Sequence, residues 1–264
     1  MGNYSNQTLQ TYFRTASTRV KSKKMRVIAI LSIASAALIA SANEMPELQK
    51  ARDRQDRAAL EKIVSDAKSV AEKQSDNPDA QYHLALAESY AAEVAVEVRD
   101  KPQAKSFAEA GIQAAERAVA LKGTTAEYHR ILGTLCGQMI SSNGIAALKY
   151  GKCALESVNK AIELDPKSSD AYVSHGVGNY YLPSALGGGL DLAIKDFRKA
   201  IELNPKSADA YLWLGVALRK ANQTVEARQA LQKSVELNPN RIWAKQQLDK
   251  TPSDRPPLEK TATQ

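Results

Sequence analysis

Cysteine is nearly absent from this chain: Cys136 and Cys153 are the only two in 264 residues. No Cys-x-x-Cys pair exists, which argues against a structural zinc site and against a thioredoxin-type motif. Histidine is almost as scarce, with His83, His129 and His175 spaced by 46 and 46 residues. Equal spacing follows from a repeat period as readily as from ligation, so no metal site is expected. His-Glu-x-x-His, a Walker loop and a serine nucleophile elbow are all missing. Neither an enzyme nor a bound cofactor is expected. The longest apolar run, residues 27–40, has fourteen residues, short of the about 20 that span a membrane.

Acidic residues are missing from residues 1–42, which hold six basic ones: Arg14, Arg19, Lys21, Lys23, Lys24 and Arg26. Without that segment the chain has 30 basic against 29 acidic residues, so the formal charge of +7 belongs to the leader. The nearly neutral body gives no reason to expect a nucleic-acid partner. Basic "KSKKMR" (21–26), the apolar run 27–40 and Ala40 and Ala42 of "ASA" follow the layout of a secretory signal peptide. An uncleaved signal-anchor is the alternative, and Met25 would serve equally well as a start. A periplasmic or secreted protein is expected, or else one held at a membrane by this segment alone. In an oxidising compartment Cys136 and Cys153 can form a disulfide; buried free thiols are the other option.

What the sequence does hold is self-similarity. "AIELDPKSSDAYVSHG" (161–176) and "AIELNPKSADAYLWLG" (200–215) agree at eleven of sixteen positions, and "SVELNPN" (234–240) begins the pattern again. The marker prolines Pro166, Pro205 and Pro239 are 39 and 34 residues apart. Counting from Ala208, Tyr211, Leu214, Gly215, Leu218, Ala227, Leu231 and Pro239 fall at the characteristic places of a 34-residue helix-turn-helix unit. Small Gly215 and Ala227 let two helices approach, and Pro239 ends the second. The chain thus resembles the tetratricopeptide repeat family. Earlier units beginning at Ser169, Ala126 and near Ala80 fit with insertions of about five, nine and twelve residues in this alignment.

The resemblance implies an all-α, right-handed solenoid of stacked antiparallel helix pairs with three to four repeats. The expected organisation is a leader (1–42), a charged N-terminal capping helix (43–77), a repeat array with closing helix (78–250) and a disordered tail (251–264). Such arrays bind partners on the concave surface made by the first helix of each pair. Periodicity puts Gln81, Leu84, Glu88, Glu127, Arg130, Gln138, Asp170, Val173, Val177, Tyr180, Tyr181, Asp209, Leu212, Val216, Arg219 and Lys220 there. Tyrosines and basic side chains are common interface anchors. A protein or peptide partner is expected, with a small solute as the alternative.

"YYLPSALGGGLDLA" (180–193) interrupts the third unit. Pro183 should stop a helix, and Gly187, Gly188 and Gly189 permit positive φ before the next begins. A glycine turn ahead of a helix can hold an anion, but Asp191 in the first turn would repel phosphate. The loop therefore reads as a turn insertion contributing partner contacts. Its Pro…Gly-Gly pattern is similar to the tetratricopeptide component of tripartite periplasmic solute transporters, which implies docking to a solute-binding protein of a bacterial envelope.

Overall fold

A computed structural model describes residues 45–142 and 144–252. The unit treated below begins at Leu48; the leader and residues 253–264 of the tail lie outside the described residues. Among the described residues there are eleven helices and no strand. They are α1 (45–53), α2 (Arg57–Lys73), α3 (Pro78–Glu97), α4 (Lys101–Leu121), α5 (Ala126–Ser142), α6 (Ala147–Leu164), α7 (Ser169–Tyr181), α8 (Leu190–Leu203), α9 (Ala208–Lys220), α10 (Thr224–Leu237) and α11 (Ile242–Asp249). Consecutive helices pair as α3/α4, α5/α6, α7/α8 and α9/α10, and the first helix of each pair also packs on the first helix of the next. This is the expected all-α solenoid. No described helix is long and apolar enough to cross a membrane.

The repeated Asp/Asn-Pro-Lys-Ser ending builds its own turn. Asp165 and Asn204 close α6 and α8, and each side chain accepts the N–H of the residue two places on, at 3.1 Å. Proline cannot continue the helix. Ser168 and Ser207 then cap the next helices by accepting from Ala171 and Ala210, each cap stabilising by about 0.5–2 kcal/mol. The third copy keeps Asn238 and Pro239 but carries Arg241 where serine stood.

Close approach within each pair depends on one small residue. A Cβ on Gly133, Gly176 or Gly215 would lie 2.4, 2.6 or 2.5 Å from Val158, Phe197 or Leu231 of the partner helix. In the first pair a glycine sits on the second helix: a Cβ at Gly111 of α4 would lie 2.6 Å from Leu135 of α5 and 2.9 Å from the Glu88 Cβ of α3. Glu88 is therefore buried, 5% exposed, and off the concave face expected for it. Its Oε2 has no hydrogen-bond partner among the described residues.

One other expectation changes. The single capping helix is broken at Gln55, whose φ is +52°. Asp56 caps α2 by accepting from Ala59 N–H at 3.0 Å. The excess of the first unit lies in its helices: α3 and α4 have 20 and 21 residues against 13 and 14 in α9 and α10. Cys136 of α5 and Cys153 of α6 are joined in a disulfide, Cα atoms 6.0 Å apart.

Candidate binding channel

The first helices of the pairs enclose a cavity of about 160 Å³. Tyr90, Glu93 and Glu97 of α3 line it, with Arg130, Thr134 and Gln138 of α5. Asp170, Val173, Ser174, Val177 and Tyr181 of α7, Asp209 and Trp213 of α9, and Trp243 of α11 complete the wall. These residues share a face because the helical period returns the same direction every three to four positions.

One wall is aromatic. Trp213 sits between Trp243 and Tyr180, with ring centroids 5.1 and 5.9 Å away, and Tyr181 packs edge-on at 6.2 Å. Another wall is polar and already organised. Arg130 chelates Glu127 through both nitrogens of its fork and donates to Ser174 Oγ at 3.3 Å. Thr134 Oγ1 donates to the Arg130 carbonyl and reaches Ser174 Oγ at 3.0 Å. Gln138 donates to the Ser89 carbonyl at 3.0 Å, while its buried Oε1 has no partner.

The channel is closed by ion pairs between the two ends of this unit. Arg52 of α1 reaches Asp209 of α9 at 2.8 Å, binds its neighbour Asp53, and lies 4.8 Å above the Tyr90 ring. Arg241, at the start of α11, is fully buried and pairs with Glu93 at 2.7 Å and with Glu97. It also donates to the Arg52 carbonyl at 3.3 Å. Asn238 donates to Asp53 at 2.7 Å. Burial pulls the Arg52 guanidinium down, but Asp209 and Glu93 outweigh it and hold the group well above its usual value. Burial likewise pushes Asp209 up, and Arg52 and Arg241 reverse that and leave it below the ordinary carboxylate range. Both groups stay charged. Buried ions of this kind are tolerable only because each has an opposite charge at bonding distance.

The expected site residues separate into three places. Arg130 and Tyr181 line the channel. Tyr180, Tyr181, Pro183, Gly188, Gly189 and Lys220 line a shallow outer groove at the glycine loop, where the Lys220 ammonium stands 4.2 Å over the Tyr180 ring. Gly187 belongs to neither and takes φ +88° to end the 3-10 turn Ser184–Leu186. Arg219 is a structural strut, donating to Gln247 Oε1 at 2.6 Å and to the Gln247 carbonyl at 2.9 Å. It is not free on the concave face expected for it, because its guanidinium is tied to α11. His175 is bound to Asp196 at 2.9 Å and His129 to the Gly123 carbonyl at 2.8 Å.

Arg52, Glu93, Glu97, Arg241, Trp213 and Trp243 were not singled out as site residues by sequence reasoning. Arg241 left one legible trace, the replacement of a capping serine in the last copy of the motif. The others are ordinary helix residues until the ends of the unit meet.

Comparison with known proteins agrees with this architecture. A tetratricopeptide family model matches residues 187–242. The solved structure of TTC0263, a thermophilic tetratricopeptide protein of Thermus thermophilus, is 14% identical, with 79% of this chain and 98% of that one covered at a TM-score of 0.56. MamA of Desulfovibrio magneticus RS-1 is 15% identical, covering 76% and 96% at a TM-score of 0.41. YrrB, described as a tetratricopeptide protein with an unusual peptide-binding site, is 22% identical, covering 80% and 95% at 0.37. The first carries the likeness of fold; the other two superpose too loosely to add to it. No curated protein sequence matches. The model described as regulator of microtubule dynamics protein 1-3 matches residues 43–184, more than half of the chain, and the chain belongs to that family, with tetratricopeptide repeats as its framework.

Proposed function

We propose that this protein is a non-catalytic scaffold that holds a segment of a partner protein in the channel formed by α3, α5, α7 and α9. The observation that carries this reading is the lining itself. Large aromatic rings stand opposite fixed polar groups, the combination that gives interfaces their strongest anchors. The family's name ties its members to the regulation of microtubule dynamics, and a protein-docking module is the kind of part such regulation uses. Retention at a membrane through residues 21–42 fits that role; export through the same segment is the alternative and excludes it. The Cys136–Cys153 bridge supports an oxidising compartment. Sequencing the N-terminus of the mature protein tests it: a start at Asn43 fits cleavage, and an intact leader fits an anchor.

A second reading is a small-solute carrier, favoured by how far the channel is enclosed. Affinity capture with the purified chain, run beside a thermal-shift screen of small solutes, separates the two. Reproducible protein partners lost in Trp213→Ala, without solute shifts, support the scaffold. A solute-specific shift lost in Tyr181→Ala supports the carrier.

A further inference from the structure

Exposed large apolar side chains are not spread evenly over this unit. Ile145 and Leu148, 76% and 82% exposed, belong to the turn between α5 and α6. Leu186 and Leu192 stand on either side of the three glycines between α7 and α8, and Val225 lies in the first turn of α10. Among the described residues, the connections between pairs, 121–127, 164–170 and 203–209, carry none. The turns within pairs form one edge, because the first helices stack side by side and in the same sense. Tyr82 near the start of α3 stacks on Tyr128 near the start of α5 at 5.3 Å, and at the far ends Lys220 of α9 stands 4.2 Å over the Tyr180 ring of α7. Leu182, just past α7, would touch a Cβ on Gly151 of α6 at 3.6 Å, so the turn of one pair adjoins that of the next. A single exposed leucine needs no explanation, but a row of apolar tips along one edge does.

The same edge is basic. In residues 145–156, 183–198 and 220–228 the exposed cations are Lys149, Lys152, Lys195, Arg198 and Lys220. The exposed acids there are Glu156, Asp191 and Glu226. Glu156 is already paired with Lys152 at 3.8 Å and Glu226 with Arg198 at 3.2 Å. The connections between pairs show the reverse balance, with Glu127, Asp165, Asp170 and Asp209 against Lys122, Lys167 and Lys206. Apolar tips flanked by ammonium groups suit an anionic lipid surface, where the tips enter the boundary of the acyl chains and the lysines meet the headgroups. A protein partner would need a patch matched to tips on three separate turns, whereas lipid conforms to them. The order of the chain gives a further reason. The apolar run ends at Ala40 and α1 begins at residue 45, so retention of that run in a membrane keeps this unit within reach of the surface.

We propose that the edge formed by the α5/α6, α7/α8 and α9/α10 turns lies against an anionic lipid surface, with Leu148, Leu186 and Val225 entering the headgroup layer. It concerns a different face from the channel and stands whether or not the scaffold reading holds.

The test uses the full chain. Its two native cysteines are joined to each other, so one introduced cysteine can carry an environment-sensitive fluorophore. The label is placed through Val225→Cys on the basic edge or Lys167→Cys on the opposite one, and phosphatidylcholine vesicles with or without phosphatidylserine are added. Emission from the Val225→Cys label should shift to the blue with the anionic vesicles, and emission from the Lys167→Cys label should stay in place. Lys149→Glu combined with Lys195→Glu should remove most of that shift; both residues are exposed, so the fold should survive. Binding through the leader alone would give the two labels the same response and would overturn the proposal. An equal shift on neutral vesicles would overturn it as well. A Val225→Cys label that responds to polyglutamate and not to vesicles would overturn it in favour of an acidic protein partner.

Discussion

The first helix pair and the last solve one packing problem in opposite ways. In α9/α10 the small residue is Gly215 on the first helix, facing Leu231. In α3/α4 it is Gly111 on the second, set between Glu88 of its own pair and Leu135 of the next. The last pair is short and carries the repeat's marker residues in order; the first is half as long again and carries few of them. Yet the two pairs are linked through Arg241, which begins the element after α10 and ends among the carboxylates of α3. What the backbone needs is one close contact per pair. Which helix supplies the space is free to change, and a pattern search follows only the commoner choice.

Arg241→Ala should have the largest effect, because it strands Glu97, which is nearly fully buried, and cuts the link between first and last pairs. Removing one partner of a buried ion pair costs about 3–5 kcal/mol. Chemical denaturation should show that loss. Arg241→Met, which fills the space without a charge, should lose a similar amount, since the two glutamates keep their ionisation cost. A loss under about 1 kcal/mol for either would mean that Arg241 contributes little to closure.

Gly111→Val and Gly215→Val sharpen the symmetry argument. If each glycine does the same job on opposite helices, each valine should destabilise by about 1–3 kcal/mol, the range for an overpacked core. Thermal unfolding of both variants checks this. A tolerated Gly111→Val would show that Leu135 and Glu88 give way and that the first pair is held more loosely than the last.

The smallest effect is one of pH and belongs to the first pair alone. Burial pushes the Glu88 carboxyl from 4.5 up to about 7, with Lys68 opposing. The folded chain therefore keeps a proton that the unfolded chain releases between those values. The group's contribution to stability is full below pH 4.5 and is lost as pH rises through about 7. Glu88→Gln should flatten that slope and raise stability at pH 8 by about 1–2 kcal/mol. Denaturant midpoints at pH 5 and pH 8 measure it. Glu97 is also pushed up to about 7 by burial and keeps part of the slope in the variant; a wholly unchanged slope would assign the titration to Glu97.

How much was legible before folding depended on whether the signal was local. The Asp/Asn-Pro-Lys-Ser turns, the glycines of the later pairs and the proline stops act within a few residues, so the repeat, its helices and their boundaries are written in the chain. Arg130 and Tyr181 do lie on the channel wall, since helical periodicity carries a residue's direction along one helix. Glu88 was misplaced: it is buried near Gly111 of the partner helix rather than exposed on the concave face. Closure belongs to another level. Arg52 meets Asp209 across 157 residues, and Arg241 meets Glu97 across 144. No spacing rule reaches so far, because the distance between such residues is the sum of every small rotation from pair to pair. By itself the sequence determined a stack of helix pairs; only the accumulated curvature decided that its ends would meet, and that a buried network of arginines and carboxylates would enclose the channel.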